Sequence, residues 1–203
     1  VERVRARIHD FFGASRDDYE VIFTGNASGA MKLVAEAFPF TAESRFVMAV
    51  DNHNSIGGMR AWAKRAGAEI AYLPLDAELR LERPLEYLGW GGCGGSGLRG
   101  ESGLLGEPGP RGESGPVGEP GPRGLPAGGR SLFAYPAQSN FSGVKHPLEL
   151  VRAAQERGFR VFLDVAAYAP TNPLDLDAIG PDFVGISFYK LFGFPTSVGA
   201  LIA

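Results

Sequence analysis

Lys190 is the residue of this chain whose sequence surroundings most favour chemistry. It comes shortly after the apolar residues 183–186 and stands between two further apolar pairs, at 188–189 and 191–192. Partial desolvation there would favour the neutral, nucleophilic amine that a Schiff-base lysine needs. The alternative is a lysine at a strand end whose ammonium reaches into solvent. On this stretch alone, the two interpretations are equally good.

Asp164 is a second candidate, because it ends an apolar strand predicted at residues 160–164. The apolar residues Val165, Ala166 and Ala167 follow it. An unpaired carboxylate in such surroundings is costly, so we expect Asp164 to have a cationic partner.

A third candidate is the turn at residues 24–28, which joins a predicted strand at 19–23 to a predicted helix at about 29–38. The first N–H groups of a helix have no partner within it and lie at the positive end of its dipole, so such a turn can cradle a phosphate. Most turns of this kind in α/β proteins hold no anion, and the signal is weak by itself.

Polar clusters follow two other predicted strands. Residues 51–55, with His53, come after the strand at 45–50, and residues 136–143, with Gln138 and Asn140, come after the strand at 131–135. In open parallel sheets, ligands bind outside the carboxyl ends of the strands. His53 either faces a planar ligand or caps the helix predicted at 56–66, and the second cluster is either part of a site or a polar turn.

The elements that must position these residues alternate between strand and helix along the chain. Such alternation predicts an α/β fold with a mostly parallel sheet and helices on both of its faces. Further helices are predicted at the N-terminus, where apolar residues recur at helical spacing up to Gly13, and at 146–158.

A collagen-like repeat interrupts this pattern. Residues 91–126 form twelve Gly-X-Y triplets, and Cys93 lies among them. Glycine at every third position suits a triple helix, but the segment is short and poor in proline, so we interpret it as an extended or disordered insertion. It divides one domain into a first part, residues 1–90, and a second part, residues 127–203.

Composition narrows the classes of function. The chain of 203 residues is 44% hydrophobic, carries a formal net charge of −3 and contains one cysteine. These values favour one globular domain and give no basic surface for nucleic acid, no apolar run for a membrane, and no multi-cysteine metal cluster. One cysteine also suits a reducing compartment, and we expect a cytoplasmic protein.

Together, the candidates match what pyridoxal phosphate requires. This cofactor needs a lysine for its aldehyde, an acid for its pyridine nitrogen and backbone donors for its phosphate. Because all the candidates follow predicted strands, they should meet at one edge of the sheet, which favours the Schiff-base interpretation of Lys190.

Four motifs make the resemblance specific. The chain resembles the class V aminotransferase (cysteine desulfurase-like) domain of the molybdenum cofactor sulfurases. The resemblance is carried by residues 23–34 (FTGNASGAMKLV), 51–60 (DNHNS with GMR), 135–143 (YPAQSNFSG) and 187–196 (SFYKLFGFPT). It implies fold type I of the pyridoxal phosphate enzymes, a homodimer with sites at the subunit interface, L-cysteine as sulfur donor and the molybdenum cofactor as acceptor.

The resemblance also implies roles for individual residues. Lys190 would carry the cofactor, Asp164 would pair with its pyridinium nitrogen, and Asn140 would lie near its phenolic oxygen. The N–H groups of Ala27 and Ser28 and the hydroxyl of Ser187 would bind the phosphate, and Thr196 would reach the phosphate of the neighbouring subunit. His53 would stack on the cofactor ring, with Asn52 as the alternative.

The chain departs from the family pattern at Gly25-Asn26, Ala167 and Ser197. The resemblance further implies that a persulfide-forming cysteine and an arginine for the substrate carboxylate lie beyond Ala203 in a longer parent. We therefore expect this chain to release no sulfide. Two alternatives stay open: another class V enzyme, of the cysteine desulfurase or selenocysteine lyase type, and a non-catalytic truncated product with a collagen-like connector.

Overall fold

A computed structural model describes residues 1–89, 130–193 and 198–203 of the chain. The predicted Gly-X-Y insertion at 91–126 and the candidate Thr196 lie outside the described residues. The predicted division into two domain parts therefore stays a prediction.

The described residues form seven strands and eight helices. The strands are β1 (Val21–Thr24), β2 (Arg45–Ala49), β3 (Glu69–Leu73), β4 (Ser131–Pro136), β5 (Phe159–Asp164), β6 (Phe183–Ser187) and β7 (Gly199–Ile202). The helices are α1 (Glu2–Phe12), α2 (Ala27–Ala37), α3 (Asn54–Gly58), α4 (Arg60–Arg65), α5 (Pro84–Gly89), α6 (Leu150–Gln155), α7 (Leu176–Ile179) and α8 (Tyr189–Phe192).

All seven strands belong to one sheet, in the order β1-β7-β6-β5-β4-β2-β3. Pairing is parallel from β3 through β2, β4 and β5 to β6, whereas β7 is antiparallel to both β6 and β1. The prediction of a mostly parallel sheet is confirmed. Because only β7 runs the opposite way, the other six strands end at the same edge, which we call the carboxyl edge.

The two parts of the chain interleave within this sheet. The strands before residue 90 (β1, β2 and β3) occupy its two flanks, and the strands after residue 129 occupy its centre. Neither part can therefore complete the sheet without the other.

Helices cover both faces of the sheet, as predicted. Along β2, Phe46 and Met48 pack into one apolar cluster with α2, α3 and α4, whereas Val47 and Ala49 pack into another with α1, α5 and α6. Alternate side chains of a strand point to opposite faces, so a strand buried on both faces is apolar along its whole length.

Three predicted helices have different bounds in the structure. Helix α2 begins at Ala27 and not at about 29, because Asn26 caps it by accepting a hydrogen bond from the N–H of Gly29 at 2.9 Å. The helix predicted at 56–66 is divided into α3 and α4 at Met59, after the pair Gly57-Gly58, since glycine weakens a helix. The helix predicted at 146–158 is regular only over α6.

Candidate active site

Lys190 lies on the short helix α8, which follows directly on β6 at the carboxyl edge. Its side chain is half-buried, and its Nζ donates a hydrogen bond to Oδ1 of Asn140 at 2.6 Å. Fifty positions separate these two residues in the sequence. The structure thus brings together two predicted site residues from different strand ends.

Asp164 ends β5, between β4 and β6, and is only 6% exposed. Its Oδ1 accepts one hydrogen bond, from the N–H of Ala166 at 3.0 Å. Burial raises the pKa of Asp164 above its ordinary value, and the Ala166 hydrogen bond and the charges of Lys190 and His53 oppose that rise. The Lys190 ammonium therefore lies near enough to stabilise the carboxylate.

No ion pair satisfies Asp164 within the part of the chain that the structure describes. We expected a cationic partner for Asp164, and the charge of Lys190 acts on its carboxylate without forming an ion pair with it. A buried carboxylate in this state suits a cationic group brought in by a ligand.

The phosphate turn connects the two flanks of the site. The N–H of Ala27 donates to Oγ of Ser187 at 2.8 Å, although the two residues are 160 positions apart. Ser28 is exposed, and its N–H has no hydrogen-bond partner among residues 1–89, 130–193 and 198–203. One free N–H at the start of a helix, beside a hydroxyl that can both donate and accept, suits an anion.

Gly199, which sequence reasoning did not single out, makes this arrangement possible. A Cβ at this position would lie 2.4 Å from the carbonyl carbon of Asn26 and 2.4 Å from the carbonyl oxygen of Ile186. Only glycine lets β7 approach both the phosphate turn and β6 so closely. The signal was a glycine at the start of a strand, where it often marks close backbone approach.

His53 caps helix α3, which was one of its two predicted roles. Its Nδ1 accepts a hydrogen bond from the N–H of Ser55 at 3.3 Å and lies 2.9 Å from the Ser55 hydroxyl. The ring is exposed. The role of His53 in stacking on a cofactor stays a prediction.

Asn52, the alternative to His53 for stacking, has its amide engaged elsewhere. Its Nδ2 donates to the carbonyls of Ala49 and Ala134, both at 2.9 Å. It therefore links the ends of β2 and β4.

A buried histidine–aspartate pair lies beside these residues and was missed from the sequence. His146 Nε2 is 2.8 Å from Oδ2 of Asp51, and the two side chains are 0% and 4% exposed. The sequence suggested only that His146 begins a helix, because nothing local connects it with a residue 95 positions earlier.

The donor set fits pyridoxal phosphate. The carboxyl edge holds an amine (Lys190), a buried acid without an ion pair (Asp164), an amide (Asn140) and a helix start with a free N–H (Ser28). Metal binding has no comparable basis, since the described residues contain no group of three or more histidine, cysteine or acidic side chains that could hold an ion.

This fold and this edge define the class of protein. A seven-stranded, mostly parallel sheet between helices, with a lysine after a central strand, is the large-domain architecture of fold type I enzymes. The sequence pattern of the family Aminotransferase class-V matches residues 1–88 and 128–203. The chain therefore belongs to the class V aminotransferase family.

Relatives within this family agree with the resemblance described above. Molybdenum cofactor sulfurase of Drosophila willistoni is 35% identical over 224 residues and molybdenum cofactor sulfurase 3 of Aedes aegypti is 36% identical over 210, each covering 100% of the chain. The chain covers 24% and 22% of these relatives, and so spans about a quarter of their length. The recognition made from the four motifs is confirmed.

Solved structures support the fold. A cysteine desulfurase from Escherichia coli superposes with a TM-score of 0.70 at 21% identity, over 98% of this chain and 42% of that one. A NifS-like protein from Rickettsia africae also has a TM-score of 0.70, at 18% identity, over 100% and 46% of the two chains. At such identities the likeness concerns the fold alone. Across the described ranges, no helix is both long and apolar enough to cross a membrane.

Proposed function

We propose that this chain is the cofactor-binding part of a pyridoxal phosphate-dependent sulfurase, which takes sulfur from L-cysteine and passes it to the molybdenum cofactor. The names of the relatives support this reaction. The observation that carries the proposal is the pairing at the carboxyl edge of Lys190 with a buried Asp164 that has no ion pair among the described residues.

The residues that would hold the cofactor are the predicted ones. Lys190 would bond to its aldehyde, Asp164 would keep its pyridine nitrogen protonated, and Asn140 would contact its phenolic oxygen. Once bound, the cofactor acts as an electron sink for the substrate's α-carbon. Lys190, released from the cofactor by the substrate amine, would then move protons at that carbon.

The phosphate would occupy the turn before α2. The N–H of Ser28 is free among the described residues, and the Ser187 hydroxyl can accept from the N–H of Ala27 while donating its own proton to a phosphate oxygen. The exposed ring of His53 would lie over the cofactor plane. Thr196 would contact the phosphate of a second subunit, and with this goes the proposal of a homodimer whose sites lie at the subunit interface.

The test is reductive trapping on the full chain. Pyridoxal phosphate is added, borohydride fixes any lysine adduct, and peptide mapping locates it. We expect the label on Lys190. Lys145 is the matched control, because its Nζ also donates to an asparagine Oδ1, that of Asn172 at 2.5 Å. Label on Lys145, or equal label in a Lys190→Ala variant, would contradict the proposal.

The substrate is tested on the cofactor-loaded chain. L-Cysteine should change the absorbance of the bound cofactor because its amine displaces Lys190. A Lys190→Ala variant is the control, since it has no lysine to displace. The cytoplasmic location expected from the sequence stays a prediction, which localisation of a tagged protein would test.

A further inference from the structure

The Asp51–His146 pair is a buried hydrogen-bonded pair that the proposed chemistry does not use. Its side chains are almost entirely excluded from solvent, with His146 Nε2 2.8 Å from Asp51 Oδ2. The other polar atom of each side chain, Oδ1 of Asp51 and Nδ1 of His146, is buried and has no hydrogen-bond partner among the described residues. The proposed chemistry gives this pair no role, so another role must explain it.

Stabilisation of the core explains the pair poorly. Polar side chains taken out of water recover the lost solvation only when all of their polar atoms are satisfied, and a well-packed apolar pair of similar volume is often as stable or more so. Here one polar atom on each side chain is left without a partner among the described residues. A pair of this kind has its best-attested use in specifying one arrangement of the chain.

The pair joins two loops at the carboxyl edge. Asp51 opens the loop 51–55, which carries His53, and His146 closes the loop 137–146, which carries Asn140. We call these the His53 loop and the Asn140 loop. The ends of the Asn140 loop are held together by the N–H of His146, which donates to the carbonyl of Ala137 at 3.0 Å.

The Asn140 loop is also tied to the end of β5. The N–H of Ala137 donates to the carbonyl of Asp164 at 2.9 Å. A continuous set of hydrogen bonds therefore runs from Asp164 through Ala137 and His146 to Asp51. In the turn of the loop, Asn140 accepts the hydrogen bond from Lys190 Nζ at 2.6 Å.

We propose that the Asp51–His146 pair is a positioning pair, which holds the His53 loop against the base of the Asn140 loop and thereby fixes Asn140 against the amine of Lys190. Neither residue of the pair is among those proposed to hold the cofactor. This proposal rests on the proposed function, because a positioned Lys190 amine matters for binding the cofactor. The contacts of the pair, the two loops and Lys190 are present in the chain without cofactor.

The test measures the reactivity of Lys190 in the full chain without added cofactor. Limiting formaldehyde and cyanoborohydride methylate free amines, and peptide mass analysis compares Lys190 with the exposed references Lys32 and Lys64. Asp51→Ala removes one partner of the pair. It should free Asn140 and raise the relative rate at Lys190 by roughly fivefold, the equivalent of one lost hydrogen bond. Asn140→Ala should give the same increase.

Two further variants separate positioning from stability. Asp51→Asn keeps an acceptor for the His146 N–H and should restore the wild-type rate. The apolar double variant Asp51→Leu/His146→Phe should keep the melting temperature of the wild type but still raise the rate at Lys190. Arg160→Ala is the control, because it breaks an exposed ion pair to Asp182, 2.6 Å long, away from the carboxyl edge.

An unchanged Lys190 rate in Asp51→Ala and in the folded double variant would overturn the proposal. Loss of the fold in both, seen as the absence of a cooperative melting transition, would assign the pair to stability alone and also overturn it. Failure of the proposed function has a different signature, because trapping with pyridoxal phosphate would then miss Lys190 while these methylation rates still respond to the pair.

Discussion

Two buried aspartates end parallel strands of the same sheet edge and have opposite surroundings. Asp51, just after β2, has an imidazole nitrogen 2.8 Å from its carboxylate. Asp164, at the end of β5, has a single backbone N–H and no ion pair within the described residues. Both carboxylates are largely hidden from water, so solvent exposure does not explain the difference.

The difference shows how the two charges are compensated. A buried charge must find a partner or become neutral. Asp51 has its partner, His146, within the chain, in the pair that we propose holds two loops together. The surroundings of Asp164 raise its pKa, because burial disfavours the carboxylate. A cationic group of a ligand would stabilise that carboxylate. The aspartate without an internal partner is the one that suits a ligand.

The largest expected effect comes from breaking the internal pair on the Asp51 side. His146→Ala leaves a buried carboxylate without its hydrogen-bond partner, which should lower the free energy of unfolding by about 3 kcal/mol. Urea unfolding at neutral pH measures it. Arg160→Ala, which removes an exposed ion pair, is the control and should cost about 1 kcal/mol or less. Equal losses in the two variants would show that Asp51 does not need its partner.

Asp164→Asn should raise the free energy of unfolding of the cofactor-free chain, whereas His146→Ala lowers it. The folded pKa of Asp164 lies above its ordinary value, so the unfolded chain ionises first as the pH rises above about 4, and the wild type loses stability with rising pH. A neutral amide avoids this loss. The variant should be more stable at neutral pH by roughly 1–3 kcal/mol, with the advantage vanishing in acid.

Thermal unfolding at a series of pH values tests this second prediction. A variant less stable than the wild type at neutral pH would contradict it. With pyridoxal phosphate present the order should reverse, since the variant loses a charged hydrogen bond and should bind the cofactor roughly 10- to 100-fold more weakly.

Ser187→Ala should have the smallest effect on the free energy of unfolding. It extends the comparison of the two buried aspartates to a buried neutral group. It removes the hydroxyl that accepts from the N–H of Ala27 at 2.8 Å and leaves a buried donor without a partner. The expected loss is about 1 kcal/mol in urea unfolding, smaller than for His146→Ala because no charge is exposed to an apolar environment. Ser187→Thr keeps the hydroxyl and serves as the control. A loss as large as that of His146→Ala would contradict the ranking.

Much of the fold could be predicted, because it depends on patterns between residues close in sequence. The buried strands at β2, β4 and β5 are apolar runs bounded by turns, and their alternation with helices predicted a parallel sheet. Helix bounds were less well predicted. The start of α2 depends on the cap at Asn26. The break at Met59 depends on two glycines that weaken the helix, whereas the apolar pattern continues across them and predicted one helix.

Three contacts of the candidate site could not be predicted from any local pattern. Ala27 bonds to Ser187 across 160 positions, Asp51 to His146 across 95 and Lys190 to Asn140 across 50. Each depends on which strands are neighbours. The order of the strands is set by the packing of whole helices and strands, which no short segment encodes.

The sequence by itself determined the family, the parallel sheet and the residue types at the strand ends, because motif, periodicity and burial are properties of neighbouring residues. The tertiary structure alone decided that Asp51 is paired and Asp164 is not. Both are aspartates that follow apolar strands, and the sequence holds no signal to separate them. The physical reason is that a charge is compensated in space, by whatever the fold brings near it.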